Sequence, residues 1–256
     1  VKPDTTRAFQ LYYRAAEQNH PLSLLNLSNC YEQGIGTDVD LAKFITYLRK
    51  AADTGLARAQ NRLGDAYHSG TGVEKDLVQA KHWFKKAAEA GFAIAQYNLG
   101  LVLDNQGEIS LAAYWYQKAA DQDDPDAQLN LGEIYLYGEE DIEQNLPLAL
   151  QLFEKSARQG NKSAQLDAGW MYLYGKGVEA DYSKAFRYLT QADAQDSAAA
   201  AYYIAQMYRY GNGVEKDNSQ VLKWYQRSAE LGDRRAQNNL AVIYHDGDLV
   251  EKNVSL

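Results

Sequence analysis

With 26 basic and 34 acidic side chains among 256 residues, the chain has a formal charge of −8 and a pI near 5.1. That balance excludes nucleic acid as a general partner, because phosphate binding needs a basic surface; it also disfavours an anionic membrane and leaves a basic protein patch as a fitting partner. No apolar run is long enough to span or insert into a bilayer, and the single cysteine, Cys30, allows no internal disulfide.

The chain opens on a lone helix around Ala8, Tyr12, Ala15 and Ala16. A second pattern follows around Leu27 and turns at Gly34-Ile35-Gly36-Thr37. The next stretch shows the plan most fully. Ala59, Leu63 and Tyr67 lie four apart and share one helix face. Gly70-Thr71-Gly72 stops that helix and turns the chain, and Asp76 is placed to cap the next one. Ala80, Trp83, Phe84, Ala87 and Ala88 make its apolar stripe, and Gly91 closes it. Small residues at Gly64, Ala87 and Ala88 let the helices approach closely.

This plan recurs along the chain. Ala95-Gln96-Tyr97-Asn98-Leu99-Gly100, Ala127-Gln128-Leu129-Asn130-Leu131-Gly132, Ala164-Gln165-Leu166-Asp167-Ala168-Gly169 and Ala236-Gln237-Asn238-Asn239-Leu240 repeat the first helix. From Leu27 through Leu63, Leu99, Leu131, Ala168, Ile204 and Leu240 the steps are 36, 36, 32, 37, 36 and 36 residues. A fixed step of this size signals stacked supersecondary units that share one continuous core. The glycine turn returns as Gly175-Lys176-Gly177-Val178 and Gly211-Asn212-Gly213-Val214. Two units depart from it: one has only Asp104-Asn105-Gln106-Gly107, and another has the acidic Gly138-Glu139-Glu140-Asp141-Ile142-Glu143.

These motifs resemble the Sel1-like repeat family, relatives of the tetratricopeptide repeats with a longer loop between helices. The resemblance covers essentially the whole chain; residues 56–91 fit nearly every position, with Phe84 standing for a tyrosine. It implies an all-α fold, a right-handed α/α superhelical solenoid over 1–256. The expected divisions are a half-unit at 1–19, units at 20–55, 56–91, 92–123, 124–160, 161–195 and 196–232, and a half-unit at 233–256, giving 14 helices. Neither end reads as a polar cap, so further repeats are expected to flank the chain; no signal peptide is visible at Val1.

In tetratricopeptide arrays the first helix of each unit lines the concave face. By that resemblance the inward positions run from Arg58, Asn61, Asp65 and His68 to Arg235, Asn238, Val242 and His245. The ends of this stripe are polar. Its middle carries Tyr97, Leu101, Leu129, Leu136, Leu166, Trp170, Leu173 and Tyr202, with Asp104, Glu133 and Arg209 beside them. An apolar strip with a polar rim and aromatic anchors is the pattern of a protein-binding groove. The competing reading is that some of these leucines pack between neighbouring first helices.

Other signals carry no chemistry. His20, His68, His82 and His245 lack metal-ligand spacing. Cys30 reads as a buried small residue, and the glycine turns lack the lysine and the preceding strand of a phosphate loop. The acidic stretches at 121–126 and 139–141 read as solvated loops, and the sequons at Asn26, Asn161 and Asn253 as chance. The resemblance therefore implies a non-catalytic protein–protein interaction module with no cofactor, binding a partner protein or peptide, including a basic one, on its concave face. The alternative is an immunity or inhibitor protein that neutralises a secreted bacterial toxin enzyme. A bacterial periplasm or cell envelope is favoured over the cytoplasm.

Overall fold

The computed structural model describes residues 3–139 and 141–247. Among them are fourteen helices and no strand beyond one isolated bridge between Glu139 and Ile142. The all-α fold class expected from the repeats is the one the chain adopts. Of the expected features, Glu140, the sequon at Asn253 and the end of the last half-unit lie outside the described residues.

Two compact bodies make up the array, Val1–Asp124 and Pro125–Leu256. The N-terminal body holds α1 (Thr5–Ala16) and the hairpins α2 (Pro21–Gln33) with α3 (Leu41–Asp53), α4 (Ala57–Ser69) with α5 (Leu77–Glu89), and α6 (Ala93–Asn105) with α7 (Ile109–Ala120). The C-terminal body holds α8 (Pro125–Tyr137) with α9 (Leu146–Arg158), α10 (Lys162–Tyr174) with α11 (Tyr182–Asp193), α12 (Ala198–Tyr210) with α13 (Asn218–Glu230), and α14 (Arg234–Asp246).

Each motif residue has a visible task. The aspartate that ends the glycine turn caps the second helix. Asp76 Oδ1 accepts from the backbone N–H of Val78 and Gln79 at 2.9 and 3.0 Å, and Asp40, Asp181 and Asp217 do the same for α3, α11 and α13. The backbone N–H of Asp76 donates to the carbonyl of Tyr67 at 2.9 Å, tying the loop to the first helix; Asp40 pairs with Tyr31 and Asp181 with Tyr172 in the same way. The first glycine of the turn is a left-handed helix cap, as at Gly70 (φ 81°). The second is a close approach. A Cβ on Gly72 would stand 2.9 Å from Ile45 Cγ1 and 3.0 Å from the Leu41 carbonyl, so this turn seats on the start of the preceding repeat's α3. The α6–α7 connection is short, as its sequence indicated, and Glu108 gives α7 no side-chain cap.

The recurrent glutamine after the first alanine closes the previous helix. Gln60 Nε2 donates to the Ala52 carbonyl at 3.3 Å, Gln96 to Ala88 at 3.2 Å, and Gln165 to Ala157 at 3.2 Å. These amides are buried, so their oxygens need donors as well. Gln122 donates to Gln96 Oε1 at 2.8 Å, Gln159 to Gln128 Oε1 at 3.1 Å and Gln195 to Gln165 Oε1 at 2.9 Å. Each donor sits at the end of the second helix in the same repeat. At the matching place after α5 stands Ala90, and Gln60 Oε1 is buried with no partner.

Ala90→Gln is therefore expected to complete the missing amide pair. Because an added neutral hydrogen bond to a buried acceptor is worth about 1 kcal/mol, the variant should unfold at higher denaturant concentration with an unchanged slope.

Candidate docking face

The first helices of the repeats turn one side to their hairpin partner and leave the other free. In the N-terminal body this free side is mostly polar. Asn61 is buried and donates to Asp65 Oδ2 at 3.1 Å, while Asn98 Nδ2 donates to Asn61 Oδ1 at 3.1 Å. Asn29, Arg58, Arg62 and Asp65 line a cavity of about 280 Å³ there. Burial pushes the Asp65 carboxyl up to about 6, against the opposing charges of Arg62 and His68. Arg62 is itself paired with Glu32. The expected site residues of this body are half-buried. The Tyr97 ring lies 5.9 Å from that of Tyr116, Asp104 Oδ2 accepts from the Tyr116 hydroxyl at 3.2 Å, and Leu101 lies beside them in sequence on the same α6.

The C-terminal body carries the aromatic part. Leu129, Leu166, Trp170 and Tyr202 are half-buried, and Glu133 and Arg209 are exposed. Leu136 and Leu173, expected on the open strip, belong instead to the hydrophobic core at 7% and 4% exposure. The correction has a geometric cause. A helix turns by about 100° per residue, so a residue five beyond the buried anchor lies about 140° round from it and one six beyond about 240° round, on the other side of the helix; the first faces a neighbouring helix. One residue further on brings a side chain to the open side. Tyr137, Tyr174 and Tyr210 stand there, 75%, 50% and 60% exposed. Sequence reasoning missed these three, although a Tyr-x-Tyr-Gly signal recurs at Tyr135–Gly138, Tyr172–Gly175 and Tyr208–Gly211.

The rings form a row. Trp170 lies 5.9 Å from Tyr174, Tyr174 6.2 Å edge-on from Tyr203, and Tyr203 5.6 Å from Tyr202. The Arg235 guanidinium covers Tyr202 at 4.3 Å and Tyr203 at 5.4 Å, and its Nη2 is held by Asp233 Oδ2 at 2.6 Å. Beside the row is a recess of about 320 Å³, walled by Leu136, Tyr137, Leu166, Trp170, Tyr203 and Arg235, with Asp167 among its lining. Burial pushes the Asp167 carboxyl up to about 7, and the like charge of Glu133 adds to the effect. Asp167 and Tyr203 occupy the position just before the anchor, which the concave-face pattern did not include. A larger depression of about 690 Å³ between α9 and α11 has its acid already committed, since Glu154 accepts from Tyr172 and Tyr188 at 2.8 and 3.3 Å.

Among the described residues no cluster of His, Cys, Asp or Glu could hold a metal, and no helix is long and apolar enough to cross a membrane. Cys30 is buried, and burial raises its thiol pKa.

The profile of the Sel1 repeat matches at residues 1–20, 21–56, 57–92, 93–124, 125–161, 162–196, 198–233 and 234–256. The chain belongs to the Sel1 repeat family. A protective antigen present in uropathogenic Escherichia coli strains, solved with this fold, is 35% identical; the match covers 95% of this chain and 53% of the antigen, with a TM-score of 0.90. A Sel1 repeat protein from Oxalobacter formigenes is 30% identical over 91% of this chain and 93% of its own, with a TM-score of 0.79. Chitin synthase regulatory factor 3 of Schizosaccharomyces pombe is 35% identical over 60 residues, 23% of this chain and 6% of that protein. The chain thus spans about half the length of the antigen and a small part of the yeast factor. In both bodies the Sel1 repeats place their recurrent glycines, alanines and aspartates in the hairpins.

The raised Asp167 carboxyl has a consequence for stability. The folded chain keeps this proton from the ordinary value of 3.8 up to about 7, where the unfolded chain has released it. Stability therefore falls as pH rises through that window. Asp167→Asn should flatten the fall and leave the variant more stable than the parent at about pH 8, the two converging near pH 4, as read by denaturant titration at several pH values.

Proposed function

We propose that this chain is a non-catalytic docking module whose C-terminal Sel1 repeats bind a partner protein on the free face of α8, α10, α12 and α14. The observation that carries this reading is the aromatic row from Trp170 through Tyr174 to Tyr203 and Tyr202, bordered by exposed Tyr137 and Tyr210. The core of each hairpin is filled without these rings reaching full burial. Partly exposed tryptophan and tyrosine with a neighbouring arginine are the residue types that dominate binding energy at protein interfaces. They offer large contact area at small entropic cost, and their polar tips satisfy hydrogen bonds at a wet rim. The chain's charge of −8 supports a partner with a basic surface.

The narrower form of this reading is an inhibitor that caps a basic toxin enzyme. It shares the same face and the same charge argument. Co-purification with a single stoichiometric enzyme, inactive while bound, supports the inhibitor; several partners of unchanged activity support the adaptor.

The test is an affinity capture from native extract with the parent and two variants. Tyr137→Ala removes a ring that contributes little to the core, so its unfolding free energy should stay within about 0.5 kcal/mol of the parent, while partner retention falls sharply. Trp170→Ala should also lose the partner, with some loss of stability because its ring packs partly on the core. Full retention of the partner by a folded Tyr137→Ala, Trp170→Ala double variant overturns the reading.

A further inference from the structure

We infer that the recess between α8, α10 and α12 is a specificity pocket for a cationic side chain, an arginine or lysine, presented by the partner protein. The inference rests on the docking reading above and adds to it the chemistry of one contact. It begins from Asp167. This half-buried carboxylate sits on α10 in the recess, and among the described residues no donor or cation bonds it. Its surroundings are the leucines of α8 and α10 and the rings of Trp170 and Tyr203. A carboxylate among apolar walls is costly unless an opposite charge joins it.

The recess's own cation cannot fill that role. Arg235 from α14 is held by Asp233 at 2.6 Å and sits over Tyr202 at 4.3 Å and Tyr203 at 5.4 Å. Its position shows how these tyrosines receive a guanidinium, and Trp170 and Tyr203 also line the recess that holds Asp167. Exposed Glu133 on α8 adds a second negative charge close enough to act on Asp167. An entering cation would meet the Asp167 carboxylate and the rings of Trp170 and Tyr203, in the field of Glu133. This combines charge pairing with cation–π attraction in a partly desolvated space. An acidic side chain would face the Asp167 carboxylate, and an apolar one would bury Asp167 further without a partner.

The charged and titratable side chains around Asp167 are Glu133 and Tyr137 from α8, Tyr174 from α10 itself, Tyr203 from α12 and Arg235 from α14, and of these Glu133 acts on its proton. Burial and Glu133 hold the Asp167 proton up to about 7. Cation binding should therefore be weak on the acid side of neutrality and strengthen as Asp167 ionises.

The experiment uses the full chain and capped tripeptides, acetyl-Gly-X-Gly-amide, with arginine, lysine, leucine or glutamate at X; spermidine serves as a free cation. Binding is followed through the Trp170 indole N–H resonance, assigned with Trp170→Phe. The arginine and lysine peptides should bind saturably at about pH 8, and at least about tenfold more weakly in Asp167→Asn, equivalent to about 1.4 kcal/mol. The parent should lose affinity to a similar degree at about pH 5.5. The leucine and glutamate peptides should not saturate. Equal arginine binding by parent and Asp167→Asn overturns the pocket, as does no saturable binding of either basic peptide. Spermidine binding more tightly than both peptides overturns the assignment to a protein side chain. If the pocket fails while Tyr137→Ala still loses the protein partner, the docking face stands without it.

Discussion

Each hairpin is held at the distance set by a helix residue too small to push its partner away. On Gly64 of α4, an added Cβ would stand 2.6 Å from the Phe84 ring of α5; Gly100 faces Tyr116, Gly132 faces Phe153 and Gly169 faces Leu189 in the same way. Such separations are far inside van der Waals contact, and a packed core yields little. Glycine within a helix costs about 1 kcal/mol of propensity, which the burial of a ring against bare backbone offsets. In the two places without glycine, Ser28 and Ala205 take the position and are fully buried. This contact decides which side of each first helix is spent on folding and which is left over.

The proposed docking face is that remainder. Once the glycine side is pressed on its ring, the opposite side receives residues the fold does not specify. It is polar around Asn61 and Asp65, aromatic around Trp170 and Tyr203. Membership of the Sel1 repeat family accounts for the first side of each helix; the second must be argued from its own side chains. The two aspartates with raised carboxyls illustrate the point. Asp65 has Arg62 and His68 to temper its burial, whereas Asp167 has Glu133, which sharpens it.

Much of this was readable before any coordinates, because the devices are local. Glycine turns, aspartate caps and the alternation of small and large residues operate within a few positions of one another. The burial of Leu136 and Leu173 was not readable, because it depends on how far each helix is rotated about its axis when it meets the next repeat. The leucine and the tyrosine that follows it stand about 100° apart on the helix, so that rotation decides which of them meets the neighbouring repeat and which is left open. The glutamine pairs were visible as a motif but silent as to purpose, since Gln96 and Gln122 come together only when the hairpin closes. The lone Gln60 oxygen could have been noticed from Ala90 alone, had that purpose been known.

The side-chain bonds that stitch one repeat to the next within each body reach only a short way along the chain, from 8 positions for Gln60 with Ala52 to 37 for Asn98 with Asn61. Among these bonds none waits for a distant part of the chain. A hairpin can close as soon as it leaves the ribosome, and its successor can fold onto a finished template. The same economy of reach lets such a gene lengthen or shorten by whole hairpins without redesigning what remains, so the surface offered to partners can evolve by duplication as readily as by point change.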